Sequence, residues 1–178
     1  MSFPDADLIY FWEQQGAVEP LVRWKPLTGG NTNALWQVGD RVVKLYRPEA
    51  DTPLFTNDPN AERQVLRALK GTNLAPELIA AEGDSLVYRL APGRGWQPED
   101  GVACVAERLS RLHAIEAPED LPHKPMGKDA LVQQTMALGE NVPVVPDDLP
   151  KAREAFIHGD ATAANALVSE GPVSFIDW

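Results

Sequence analysis

The sequence predicts an α+β fold of two lobes with a cleft between them. Three observations predict it. Short β-type runs, broken by Gly-Asp turns, fill the first half of the chain. Helical periodicity dominates the second half, strongest over residues 99–115. A β pair then reappears over residues 166–178. Strands and helices that are segregated rather than alternating indicate an antiparallel sheet with helices gathered to one side of it. Clefts between such units are favoured ligand sites.

The elements follow in order. Residues 5–15 read as a short helix with Ile9 and Trp12 on one face. Residues 21–24 read as a strand. Residues 34–38 and 41–45 form a hairpin across Gly39-Asp40, a tight-turn signal. Residues 51–60 are a polar, Pro-containing loop. Asn60 caps a helix that runs to Lys70, with Gly71 just past its end. Within it Ala61, Val65, Leu66 and Leu69 keep helical spacing. Residues 78–81 and 85–90 form a second hairpin across Gly83-Asp84, and residues 91–98 are a Gly/Pro-broken connector. Val102, Val105, Ala106, Leu109 and Leu112 line one face of the helix at 99–115. Residues 118–150 are Pro-interrupted, with a helix at about 129–138 and a short helical piece at 151–156. A turn at 169–172 joins two late strands.

Composition narrows the function classes. A length of 178 residues allows one domain, or two small lobes sharing a core. With 44% hydrophobic and 24% charged residues, the chain is neither disordered nor collagen-like. No run approaches the roughly 18 apolar residues of a membrane span, and the N-terminus lacks the basic region and cleavage site of a signal peptide. The net charge of −10 opposes binding to phosphate backbones, so nucleic acid is not expected as a partner, whereas a cationic small molecule is suited. A single cysteine, Cys104, excludes an internal disulfide framework and fits a reducing, cytoplasmic setting.

Four features carry chemistry. The turn Thr28-Gly29-Gly30-Asn31-Thr32-Asn33 links two strands. Such a link is in itself only a turn, but its glycines also let backbone N–H groups approach and cradle an anion. Lys44 alternates with Val43 and Leu45, so it shares a face with Val42. That face is either solvated or turned into a cleft, where an ammonium would meet phosphates. Glu62 lies beside the apolar stripe of its helix; it is either an exposed first-turn acid or a carboxylate in need of a partner, for which Lys44 is a candidate. The fourth feature is His158-Gly159-Asp160 with Asn165 and, twelve residues later, Asp177. Asp, Asn and Asp at this spacing supply a base and hard oxygen ligands of the kind Mg²⁺ takes when phosphates and water complete its shell. There is no G-x-x-x-x-G-K-[ST] loop and no G-x-S-x-G elbow.

Taken together these motifs resemble the aminoglycoside phosphotransferase and choline/thiamine kinase-like family, relatives of the protein kinases. The matching segments are residues 27–33, 41–45, 61–66, 87–93, 111–115, 158–165 and 175–178, in the family's order. His158-Gly-Asp160 with Asn165 parallels H-R-D-x-x-x-x-N, with Gly159 at the arginine position, and Ile176-Asp-Trp178 parallels D-F-G without its glycine. The resemblance implies a protein-kinase-like fold: residues 1–90 a nucleotide-binding lobe, residues 91–178 a partial catalytic lobe, and a hinge at about 87–93. It implies transfer of the γ-phosphate of ATP or GTP to a hydroxyl of a small, cationic acceptor of the choline, thiamine or aminoglycoside type. In that scheme Asp160 takes the hydroxyl proton, and Asn165 and Asp177 hold Mg²⁺. Lys44, paired with Glu62, binds phosphates, which the backbone at Gly29, Gly30 and Asn31 covers. Tyr88 and Leu90 border the base, and His158 supports the catalytic loop. Family members continue with further helices after the position of Trp178. The expectation is therefore a helical lobe that is truncated C-terminally: the sequence is a fragment, or the gene is truncated, or a second copy or a partner covers the apolar surface left exposed. The alternative to catalysis is a module that binds nucleotide or a partner without turnover.

Overall fold

A computed structural model of the chain describes residues 4–27, 32–50, 57–121, 128–137, 139, 155–170 and 173–178. Five strands form one antiparallel sheet: β1 (Trp24–Pro26), β2 (Ala34–Val38), β3 (Arg41–Leu45), β4 (Leu78–Glu82) and β5 (Ser85–Arg89), in the order β1-β2-β3-β5-β4. A second sheet of three short strands, β6 (Arg94–Gly95), β7 (Ala166–Val168) and β8 (Ser174–Phe175), follows the same order in space as in sequence. The helices are α1 (Ala6–Gln14), α2 (Pro59–Ala68), α3 (Val102–His113) and α4 (Lys128–Ala137). The structure is thus the α+β, kinase-like arrangement the motifs imply, an antiparallel sheet followed by helices.

Register decides what each face of the large sheet buries. Trp36 pairs with Val43, and Val43 with Val87. Side chains of directly opposed residues share a face, and this face packs on Trp12, Ala17 and Val18 at and after α1. The next row, Leu35, Lys44 and Leu86, faces the other way. There Val42, Tyr46, Leu86 and Tyr88 pack on Leu66 of α2. Both faces are therefore covered, which is why Ser85, Leu86, Val87 and Tyr88 are buried in succession instead of alternately. The reading of Lys44 on a solvated face is overturned for the same reason: α2 roofs that face, and Lys44 is 2% exposed.

Several boundaries move. The first strand begins at Trp24, because Leu21 has φ 64° and stands fully in solvent. Asp58, not Asn60, is the N-cap of α2; its carboxylate accepts the Asn60 N–H at 2.8 Å, and Pro59 takes the first helical position. The connector holds β6, whose backbone lies so close to β7 that a Cβ on Gly93 would sit 2.4 Å from the Val168 carbonyl oxygen. The third helix starts at Val102, after a 3-10 turn over Pro98–Asp100 and a left-handed Gly101. Residues 155 and 156 are not helical, and the rest of the expected piece at 151–156 lies outside the described residues.

Two further cores sit below the sheet. Leu69, Leu74, Leu112 and Phe156 join α2 to α3, and Ala166, Val173 and Phe175 join the small sheet to α3 through Cys104, Val105 and Leu109. Trp178 packs against both of these and against the sheet cluster. Backbone contacts seal the junction between α2 and β4: Phe175 donates its N–H to the Leu74 carbonyl at 2.8 Å.

Candidate active site

Lys44 is the middle of the site. Its strand position aims Nζ at α2 and at the segment after β8. There Nζ donates to Glu62 Oε2 at 2.5 Å and to Asp177 Oδ1 at 2.6 Å. Glu62 stands in the first turn of α2 and is 2% exposed, whereas the Asp177 side chain is 53% exposed. Asp177 has φ 63°, a left-handed conformation that Asp tolerates better than most residues. Tyr46, just past the end of β3 and two residues after Lys44, donates its hydroxyl to the Glu62 oxygen that Lys44 also reaches. Burial would lower the Lys44 pKa, but the carboxylates of Glu62 and Asp177 outweigh it and hold the ammonium above its ordinary value. Burial raises Glu62, with Lys44 and Tyr46 opposing the rise. Burial, then Glu62, raises Tyr46, so its phenol stays protonated and remains a donor.

Asp160 and Asn165 form a second group. Asn165 Nδ2 donates to Asp160 Oδ2 at 3.0 Å and to its carbonyl at 3.1 Å. A tight turn supports them, with Thr162 N–H on the Asp160 carbonyl and Asn165 N–H on the Thr162 carbonyl. Ile176 joins the two groups through its backbone. Its N–H donates to the Asn165 carbonyl at 2.9 Å, and its carbonyl lies 3.0 Å from His158 Nε2. His158 Nδ1 in turn accepts the Asp160 N–H at 3.2 Å. An acceptor at Nδ1 fixes the neutral tautomer with its proton on Nε2, which donates to Ile176. Burial lowers the His158 pKa in keeping with that neutral form.

The structure thus gathers Lys44, Glu62 and Asp177 in direct contact and links Asp160, Asn165 and His158 to them through residue 176. Tyr88 is buried in the sheet cluster on the Lys44 face, between β3 and β4. Leu90 packs on that cluster and gives its N–H to the Asp40 carbonyl at 2.8 Å. Gly29, Gly30 and Asn31 lie outside the described residues.

Sequence reasoning missed Tyr46, although the alternation Val42, Lys44, Tyr46 marks it. It also missed a buried amide pair, for which the sequence holds no local signal. Asn33 and Asn57 exchange hydrogen bonds of 2.9 Å in both directions, and the Arg47 backbone N–H and carbonyl complete the clasp. This clasp fixes the residue that closes the Gly-rich turn to the approach to α2.

Among the described residues no three His, Cys, Asp or Glu side chains gather as a metal cage. The donor set that is present suits a hard cation carried in with phosphates. One oxygen of Asp177 is engaged by Lys44, and the carboxylate is half exposed. Asn165 commits its nitrogen to Asp160, so its carbonyl oxygen is the end that can ligate. A hollow of about 520 Å³ opens beside Leu90, Ala91 and Pro92, with Asn73, Arg89 and Ser174 in its wall, and none of the Lys44 network lines it.

A sheet roofed by a helix, with a lysine held by that helix's glutamate, is the N-terminal architecture of the kinase-like phosphotransferases. The model of the phosphotransferase enzyme family (APH) matches residues 23–178, and the chain belongs to that family. Solved structures agree on the fold. A choline/ethanolamine kinase family protein from Mesorhizobium loti has a TM-score of 0.66 at 18% identity, over 90% of this chain and 59% of its own. Plasmodium vivax ethanolamine kinase has a TM-score of 0.67 at 16% identity, over 98% and 63%. The streptomycin–ATP–APH(2″)-IIa ternary complex has a TM-score of 0.67 at 17% identity, over 99% and 72%. The chain therefore spans about 59–63% of the length of the first two. Among curated proteins none matches by sequence.

Proposed function

We propose that the chain is the nucleotide-binding and catalytic part of a small-molecule kinase. It moves the γ-phosphate of ATP, or GTP, to a hydroxyl of a cationic acceptor of the choline, thiamine or aminoglycoside type. The observation that carries this reading is the Lys44 ammonium, buried on the roofed face of its sheet and shared by Glu62 and Asp177. Family membership supports phosphoryl transfer. The acidic surface, at net charge −10, suits a cation.

The residues then divide the work, with residues 1–90 and 91–178 as the two lobes and residues 87–93 as the hinge. Lys44 leaves Asp177 for the phosphates while Glu62 holds its other side. Backbone at Gly29, Gly30 and Asn31 covers the phosphates, and Tyr88 and Leu90 border the base. The acceptor oxygen bonds to the γ-phosphorus as the bond to the β-phosphate oxygen breaks, and Asp160 takes the hydroxyl proton. Asn165 and Asp177 would hold Mg²⁺, which neutralises phosphate charge. His158 holds the Asp160 loop against residue 176. Such transfer asks the protein mainly for position and charge.

A second reading is a module that binds nucleotide or a partner without turnover. The Lys44–Asp177 contact favours it, because each then neutralises the group the other needs. Phosphate transfer from labelled ATP and GTP to a panel of amino alcohols and aminoglycosides separates the two, run beside a thermal shift with Mg·ATP. Turnover that falls at least about 100-fold in Asp160→Ala supports the kinase. Stabilisation by Mg·ATP without turnover supports the nucleotide-binding module, and neither signal overturns the kinase and leaves only a structural or partner-binding role.

A further inference from the structure

Glu62 has a second donor that the kinase reading does not use. Tyr46 is 6% exposed and Glu62 is 2% exposed, so their contact is closed to water. The phenol and the Lys44 ammonium meet the same oxygen, Glu62 Oε2, and Nζ stands 4.9 Å from the centre of the Tyr46 ring. Two carboxylates, Glu62 and Asp177, share one ammonium here. When that ammonium turns toward a third anion, the buried carboxylate loses part of the one cation it pairs with among the described residues. An ionised carboxylate without water needs another donor to stay charged and in place.

We propose that Tyr46 is a positioning residue for nucleotide: its hydroxyl keeps the Glu62 carboxylate ionised and aimed at Lys44 while Nζ passes from Asp177 to the phosphates. The assignment rests on the phosphotransfer reading of the same site. The phenol suits the task because it is neutral and does not titrate in the working range. A cation at that place would compete with Lys44 for Glu62, and a phenylalanine would leave Oε2 short of a donor. Among the described residues the groups that face Glu62 are Lys44 from β3, Tyr46 just past its end, Tyr88 from β5 and Asp177 from the segment after β8.

The sign of the pH effect follows. Removing the phenol removes an interaction that favours the carboxylate, so Glu62 takes a proton at higher pH. The pairing with Lys44 is then lost from the acid side, at a higher midpoint than in the wild type.

The test is the affinity for Mg·ATP, by calorimetry from pH 5.5 to 8.5, for wild type, Tyr46→Phe, Glu62→Gln and the double variant. Apo melting curves are recorded for the same four proteins. The expected result is a loss of about tenfold or more in Tyr46→Phe near pH 6, a smaller loss at pH 8.5, and no further loss when Glu62 is already Gln. A Tyr46→Phe protein that matches wild type throughout, or that loses the same factor in the Glu62→Gln background, overturns the role of Tyr46 and leaves the kinase reading standing. A wild type that binds no Mg·ATP overturns the kinase reading itself. Should Tyr46→Phe fold poorly, the double variant decides, since a neutral amide has no charge to lose: recovery of its melting temperature supports the proposal, and no recovery overturns it.

Discussion

Arg108 reaches from α3 to the loop between α2 and β4, where its guanidinium donates to the Asn73 carbonyl at 2.6 Å, and its Nε donates to the carbonyl of Val173, just before β8, at 2.7 Å. It is 3% exposed and Val173 is 1% exposed, so the Val173 carbonyl has little water to fall back on, whereas Asn73 is an exposed residue. The helix that carries Glu62 is thereby anchored at its far end to the second half of the chain. Arg108→Met keeps much of the side chain's apolar bulk but strands the buried Val173 carbonyl, at about 1–3 kcal/mol. The expected outcome is a urea midpoint lower by the equivalent of about 1–3 kcal/mol at an unchanged slope.

Lys44 and Glu62 separate stability from function. Lys44→Met leaves a buried carboxylate without its cation, a change that costs about 3–5 kcal/mol in comparable pairs. Replacing both, Lys44→Met with Glu62→Leu, removes the stranded charge and should regain most of that loss. The double variant is expected to melt well above the single one and to transfer no phosphate, which melting curves and the transfer assay check together.

The amide clasp predicts a milder defect. Asn57→Ala takes two hydrogen bonds from Asn33 and one from the Arg47 carbonyl. At about 1–3 kcal/mol, and roughly 2–4 °C per kcal/mol for a chain of this size, the melting temperature should fall by about 2–12 °C. Because Asn33 closes the Gly-rich turn, Mg·ATP affinity should fall in the same variant. An unchanged affinity would separate the clasp from the nucleotide.

His158 gives a pH dependence of defined sign. Its folded pKa lies below the ordinary 6.5, chiefly through burial. The unfolded chain therefore binds a proton that the folded chain refuses. Stability is full above about pH 6.5 and drains away as pH falls from there through the folded value. Unfolding free energy measured between pH 7.5 and 5 should show this slope, and His158→Asn should flatten it.

Both hairpins were legible because they rest on local periodicity, which also made Lys44 a candidate partner for Glu62. Alternation set Lys44 apart from Val43, and the stripe of Val65, Leu66 and Leu69 put Glu62 at its edge. What alternation could not supply is which face lies under α2, since that depends on packing between residues far apart in sequence. The two-residue strand β6 exists only because Leu167 and Val168 pair with it. Arg108 carries no local signal of its buried role, since its partners lie 35 and 65 residues away in sequence. The capping shift from Asn60 to Asp58 is a local error, since both residue types cap and Pro59 was the available clue.

Trp178 lies where three cores meet, and its ring stands 4.3 Å from that of His158. Protonated imidazole quenches indole emission, so a protein with its other four tryptophans replaced by phenylalanine would dim as His158 gains its proton. The loop that carries Asp160 thus comes with its own optical reporter, readable without label or ligand.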